Sequence, residues 1–171
     1  MTAIAIRPER DGDAPAIFAL TEAAFREMPH ADGDEQQLVD RLRADGDLAL
    51  SLVAEDATRI VGHVAFSPVS ISDGNEGWFG LGPVSVAPEL QRQGIGSALI
   101  KRGIADQRES GGRGIVLIGD PAYYARFGFE CDPALRYDGA EPRYFQRLVL
   151  EGDAPRGAVS FAPAFSAARS A

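Results

Sequence analysis

A chain of 171 residues with 45% hydrophobic content and a formal net charge of −8 is long enough to bury a core without staples and has the size of one domain. The acidic balance argues against general binding to nucleic acid or to an anionic membrane, both of which need a basic face. One cysteine, Cys131, excludes an internal disulfide, and two histidines without a cysteine cluster offer no metal site.

The N-terminal residues Met1 to Asp11 lack the charged-then-apolar layout of a signal, and no run is long enough to span a bilayer, so a cytoplasmic protein is expected. With no internal repeat, low-complexity block or linker, residues 1–171 are expected to form a single domain. Ala3 to Arg7 alternates as a first strand. Asp11-Gly12-Asp13 supplies N-cap chemistry ahead of Pro15, and Ile17, Phe18, Leu20, Ala24 and Phe25 recur at helical spacing, so a helix runs to about Arg26. A second helix covers Asp34 to Arg43, with Leu38, Val39 and Leu42 on one face, and Asp45-Gly46-Asp47 ends it.

Leu48 to Glu55 and Arg59 to Ile71, separated by Asp56-Ala57-Thr58, form an antiparallel pair rich in β-branched residues. Trp78 to Val86 is a fourth strand disturbed by Gly80, Gly82 and Pro83, and a Pro in a strand marks an edge or a bulge. Ile95 to Ser110 is a helix burying Ile95, Ala98, Leu99 and Ile104, and Gly111-Gly112 stops it. Ile115 to Ile118 is wholly apolar, like a strand covered on both faces. Asp120-Pro121 opens a short helix, and Tyr144 to Glu151 and Gly157 to Phe161 are two closing strands. The order β-α-α-β-β-β-α-β-α-β-β is that of a mixed α/β (α+β) domain around one sheet.

Charge is unevenly spread. Residues 1–60 hold thirteen acids against six bases, a net of −7, whereas Gln91 to Arg102 holds Arg92, Lys101 and Arg102 and no acid. That segment is either an anion site or a solvated helix face. Just before and within it, Val84-Ser85-Val86-Ala87-Pro88-Glu89-Leu90-Gln91-Arg92-Gln93-Gly94-Ile95-Gly96-Ser97 runs from a strand through a glycine turn into a helix start. Backbone N–H groups freed by glycine and the positive end of a helix converge there as an anion cradle. It is not a Rossmann fingerprint, because Leu99 stands where the third glycine belongs, nor a P-loop, because no Gly-Lys pair occurs.

The run Gln91-x-x-Gly94-x-Gly96 after Val84-x-Val86-x-Pro88 resembles motif A of the GNAT superfamily of N-acetyltransferases, and Tyr124-x-x-x-Gly128-Phe129 resembles its motif B. Gly119 to Phe129 is closer still to the YhbS-like bacterial subgroup. The resemblance covers roughly residues 3–150. It implies a central mixed, mostly antiparallel sheet of six to seven strands, about four flanking helices, and a splay between the fourth and fifth strands. It further implies transfer of the acetyl group of acetyl-CoA, as co-substrate and without a metal, to a primary amine by direct attack in a ternary complex. The alternative is an acyl-CoA-binding sensor or interaction module without turnover.

By the same resemblance, backbone groups of Val84, Ser85 and Val86 pair with the pantetheine arm. N–H groups from Arg92, Gln93, Gly94, Ile95, Gly96 and Ser97 hold the pyrophosphate, with the Gln91 and Arg92 side chains in support. Tyr124 is the candidate general acid for the departing thiolate, against the reading of a core tyrosine on Phe127 or Phe129. Tyr123 is expected to be structural. Arg126 either meets the phosphates or is solvated. The asparagine that many members carry before this helix is absent, so contacts attributed to it do not transfer. Glu22, Glu27, His30, Asp32 and His63 are candidates for the base, with His63 better explained as a core residue, and Cys131 is expected to be a small packing residue. The acceptor is a small-molecule or peptide amine, and the acidic excess favours a cationic one. The chain is expected to be a monomer or a homodimer.

Overall fold

The computed structural model describes residues 3–26, 28 and 31–169. Its main sheet has six strands: β1 (Ala5–Pro8), β2 (Leu50–Glu55), β3 (Ile60–Pro68), β5 (Trp78–Val86), β6 (Gly114–Ile118) and β8 (Phe145–Val149), in the order β1-β2-β3-β5-β6-β8. All neighbours are antiparallel except β5 and β6. A second, three-stranded sheet joins β4 (Ser70–Ile71), β9 (Gly157–Ser160) and β7 (Leu135–Arg136). The closing strand expected at Gly157 to Phe161 therefore forms, but in this second sheet. The helices are α1 (Ala14–Phe25), α2 (Glu35–Asp45), α3 (Ile95–Glu109), the short α4 (Pro121–Tyr124) and α5 (Pro163–Arg169).

Side-chain alternation divides the core. On one face of the main sheet Leu52, Ala54, Val64 and Phe66 pack with Ile95, Leu99 and Ile104 of α3. On the other, Val53 packs with Ile17 of α1 and Val39 of α2, and Ser85 Oγ donates to Thr21 Oγ1 of α1 at 3.3 Å. Within α3, Ala98 is exposed rather than buried; the inward stripe is Ile95, Leu99, Ile100, Gly103, Ile104 and Gln107. The N-cap chemistry expected at Asp13 is used differently. Its carboxylate accepts from the Arg7 guanidinium at 2.8 Å and from Arg10 N–H at 2.7 Å, so it ties β1 to the start of α1.

The feature that positions the site lies in β5. Trp78, Phe79 and Gly80 pair with β6, and the parallel ladder then stops. On the other side, Val64 and Phe66 of β3 face Val84 and Leu81, so β5 carries one extra residue at Gly82-Pro83. Proline has no N–H for the ladder, and Gly82 has a φ of 141°, in the range that favours glycine. Beyond this bulge β5 stays with β3 and leaves β6, which is the splay expected from the sequence.

Candidate active site

Two clefts open along the departed half of β5. The first, about 450 Å³, runs between Val84 and Val86 on one side and the turn Gln91 to Ser97 on the other, with Tyr123 and Arg126 on its wall. The second, about 380 Å³, is bounded by Gly82, Pro83 and Val84 of β5, Ile118 of β6, Tyr124, the start of α2 and the C-terminal segment. They meet at Val84 and Met28, which line both. Met28 and Ile118 are also among the few large hydrophobic side chains left exposed, and both stand at this opening.

The first cleft is built from backbone. Ala87 N–H donates to Val61 of β3 at 2.9 Å. Alternation along a strand then turns the N–H and C=O of Ser85 toward β3, and those of Val84 and Val86 toward the space that β6 has vacated. Ser85 thus sends its side chain to α1 and its backbone to β3, and the edge available to a ligand belongs to Val84 and Val86. The Gln91 side-chain amide donates to the Val86 carbonyl at 3.1 Å, bracing the turn against the strand. Arg92 at φ 65° and Gly94 at φ 89° fold the turn tightly before α3 begins at Ile95. A Cβ on Gly94 would meet no heavy atom within 4 Å, and one on Gly96 would lie 3.7 Å from Val86, so both glycines leave open space where backbone N–H groups converge. Gln93 is exposed and outside both linings.

The two tyrosines of α4 divide between the clefts. Asp120 caps this short helix by accepting from Ala122 N–H at 3.0 Å. Tyr123, expected to be structural, stands in the first cleft with its hydroxyl 2.9 Å from Ser97 Oγ and hydrogen-bonded to it. Arg126 lies 4.3 Å over the Tyr123 ring and donates to the Tyr123 carbonyl at 2.9 Å, which holds a cation at the cleft wall. Tyr124 stands in the second cleft. Its ring packs on Gly119, where a Cβ would lie only 2.5 Å away, and on Phe129 at 6.0 Å. Burial pushes its phenol up to about 12, so it keeps its proton throughout the neutral range.

Of the candidate bases, Asp32 lines the second cleft. Glu22 is an exposed residue 3.9 Å from Arg26, and Glu27 and His30 lie outside the described residues. His63 is fully buried, with Nε2 2.8 Å from Ser51 Oγ, which donates to Glu9 at 2.7 Å. It lies opposite Ser85 in the ladder, on the α1 side of the sheet, and belongs to neither cleft. Cys131 is exposed, not packed, and its thiol donates to the Arg143 carbonyl at 3.2 Å. Asp34, Glu35, Tyr137, Phe161 and Phe165 line the second cleft and were not singled out from the sequence. Among the described residues no group of three or more His, Cys, Asp or Glu is arranged for a metal, and no helix is long and apolar enough to cross a membrane.

A splayed mixed sheet with a glycine turn facing its open strand is the architecture of an acyl-transfer domain. Residues 5–131 match the acetyltransferase (GNAT) domain family, and the chain belongs to that family of acyltransferases. It is 39% identical over 157 residues to the uncharacterized N-acetyltransferase YhbS of Escherichia coli K12, covering 89% of this chain and 90% of that one. A crystal structure of YhbS from Escherichia coli in complex with CoA superposes with a TM-score of 0.89 at 34% identity, covering 97% of this chain and 93% of the other. A GNAT family acetyltransferase from Brucella melitensis, in complex with acetyl-CoA, superposes with a TM-score of 0.86 at 46% identity, covering 96% and 99%.

Proposed function

We propose that the protein transfers the acetyl group of acetyl-CoA to a primary amine by direct attack within a ternary complex. The observation that carries this reading is the edge of Val84 and Val86 that no strand of the sheet covers, facing the Gly94–Gly96 turn across the first cleft, which opens at Val84 into the second. An extended pantetheine arm completes the ladder that β6 leaves open, like an added strand. The N–H groups of the turn and the start of α3 take the pyrophosphate, with Arg92 and Arg126 adding positive charge. The YhbS and Brucella melitensis relatives, in complex with CoA and acetyl-CoA, support this assignment.

The thioester then lies near Val84, where the clefts meet. A backbone N–H of the open edge donates to the carbonyl oxygen as negative charge builds on it. The amine, in the second cleft, gives up one proton to solvent water and attacks the carbonyl carbon, and its nitrogen releases a second proton to water as the amide forms. The carbon–sulfur bond breaks, and the departing thiolate takes the proton of Tyr124, which solvent replaces. A phenol near 12 is a poor acid toward a thiolate in water. The same desolvation that raises Tyr124 also raises the proton affinity of the thiolate leaving beside it, so the two remain matched.

Calorimetric titration with acetyl-CoA and with CoA, followed by a thiol-release assay over a panel of amines, tests the reading. Binding with amine-dependent thiol release supports it. Binding without release for any amine reduces the protein to an acyl-CoA-binding module, and no binding removes both.

A further inference from the structure

The second cleft has a chemistry of its own, and the inference drawn from it rests on the N-acetyltransferase reading. The geometry points to an acceptor whose amine is carried on an apolar aryl or alkyl body and which bears no carboxylate or phosphate.

The first ground is the wall. At about 380 Å³ the cleft falls in the lower range of small-molecule sites. Its lining is dominated by apolar and aromatic side chains drawn from separate elements: Phe25 closes α1, Leu38 lies on α2, Pro83 on β5, and Tyr137, Phe161 and Phe165 come from the C-terminal third. Tyr137 and Phe161 meet edge-on at 4.8 Å, and Phe161 lies 5.3 Å from Phe165, so the aromatic wall is a packed unit. Covering such a surface is favourable only for an apolar body, and the aromatic faces add attraction for an ammonium.

The second ground is electrostatic. Asp32, Asp34 and Glu35 line the same cleft, and its described lining holds no Lys, Arg or His. Elsewhere in the acidic N-terminal region several partly buried carboxylates are matched by cations, such as Glu9 with Arg43 and Asp13 with Arg7. Asp34 is half-buried and makes no side-chain cap bond to α2. The start of α2 would otherwise attract an anion, but Glu35 in its first turn, which accepts from the N–H groups of Gly33 at 3.3 Å and Asp34 at 3.1 Å, places a negative charge at that end. An ammonium entering here finds partners. A carboxylate or phosphate finds like charge in a partly desolvated cleft, which is strongly disfavoured.

Matched pairs test this in the purified protein with saturating acetyl-CoA: phenethylamine against phenylalanine, and hexylamine against 6-aminohexanoate. Thiol release should favour the carboxylate-free member of each pair by on the order of 10²-fold in kcat/KM. The double variant Asp32→Asn, Asp34→Asn should shrink that ratio about tenfold. Turnover with a ratio near one, or reversed, overturns the inference and leaves the proposed function standing. Acetyl-CoA binding with turnover of neither pair overturns the inference too, and the wider amine panel then decides the proposed function. Failure to bind acetyl-CoA at all instead overturns the proposed function, and this inference with it.

Discussion

Tyr123 and Tyr124 are neighbours in the chain, cross edge-on at 4.9 Å and 89°, and serve different clefts. The step of about 100° between successive helix residues separates their directions enough for Tyr123 to reach Ser97 at the start of α3, while Tyr124 packs on Gly119 and lines the second cleft. Removing each hydroxyl should therefore have separable effects. Tyr124→Phe should leave acetyl-CoA affinity unchanged and lower kcat on the order of 10²-fold. Tyr123→Phe should weaken acetyl-CoA binding by a few fold through the lost Ser97 hydrogen bond, with little change in kcat. Steady-state kinetics and calorimetry on both variants check this, and the opposite pattern would transfer the acid role to Tyr123.

The two glycines of the turn should also separate. Gly94 sits at φ 89° and Gly96 within the first turn of α3. Valine at either position projects into the first cleft and should lower acetyl-CoA affinity at least tenfold. Only Gly94→Val also forces a β-branched residue into the left-handed region, which costs about 1–2 kcal/mol. A Cβ on Gly96 would make ordinary contact with Val86 at 3.7 Å on helical backbone, so the melting temperature of the free protein should fall more for Gly94→Val than for Gly96→Val. Thermal melts without ligand, set beside calorimetry, read the two effects independently.

What the sequence displayed of this site follows from what local structure demands. The turn Gln91-x-x-Gly94-x-Gly96 is legible because close approach and positive φ restrict residue choice at fixed spacing, and Asp120-Pro121 because a cap and a first-turn proline are adjacent. The bulge at Gly82-Pro83 is visible for the same reason. The second cleft is not. Asp34, Tyr137, Phe161 and Phe165 meet only through tertiary folding, and no periodicity links residue 34 to residue 161. Of the second sheet only β9 was legible, because strands β4 and β7, of two residues each, are too short to show an alternation, and the wall residues Tyr137 and Phe161 that follow β7 and β9 could not be linked to each other. Asp13 likewise has the sequence of a helix cap yet spends its carboxylate on Arg7, because a guanidinium 2.8 Å away is the stronger partner.

Stability should decline on mild acidification because of His63. Burial pushes its imidazole down to about 4, whereas in the unfolded chain it titrates near its ordinary 6.5. Between those values the unfolded state binds a proton that the folded state refuses, so folding free energy is fully retained above pH 6.5 and lost as pH falls toward 4. The loss between pH 7 and pH 5 should be about 2 kcal/mol, or several degrees of melting temperature. Hydrogen bonding to Arg7 holds Asp13 below the usual carboxylate range, so its contribution falls away only at lower pH. Melting His63→Gln across the same range should give a flatter profile. An equal slope would mean that other groups carry the dependence.

The last prediction concerns how α3, and with it the turn that begins it, is held to the sheet. Gly103 faces Phe66 of β3, and a Cβ at this position would stand 2.3 Å from the ring of a fully buried side chain. Alanine normally stabilises a helix relative to glycine by about 1 kcal/mol. Here the overlap, at about 1–3 kcal/mol for an overpacked core, should dominate, because Phe66 is enclosed on every side and cannot swing away. Gly103→Ala should therefore lower stability in denaturant melts despite its better helix propensity. Phe66→Leu should destabilise alone, by leaving unfilled volume, yet be partly compensatory in the Gly103→Ala background, since the added methyl enters the space the ring gives up. Additive losses in the double variant would show that the methyl is accommodated by moving α3 away from the sheet. In that case acetyl-CoA affinity should fall as well, because Gly94 and Gly96 would move with the helix.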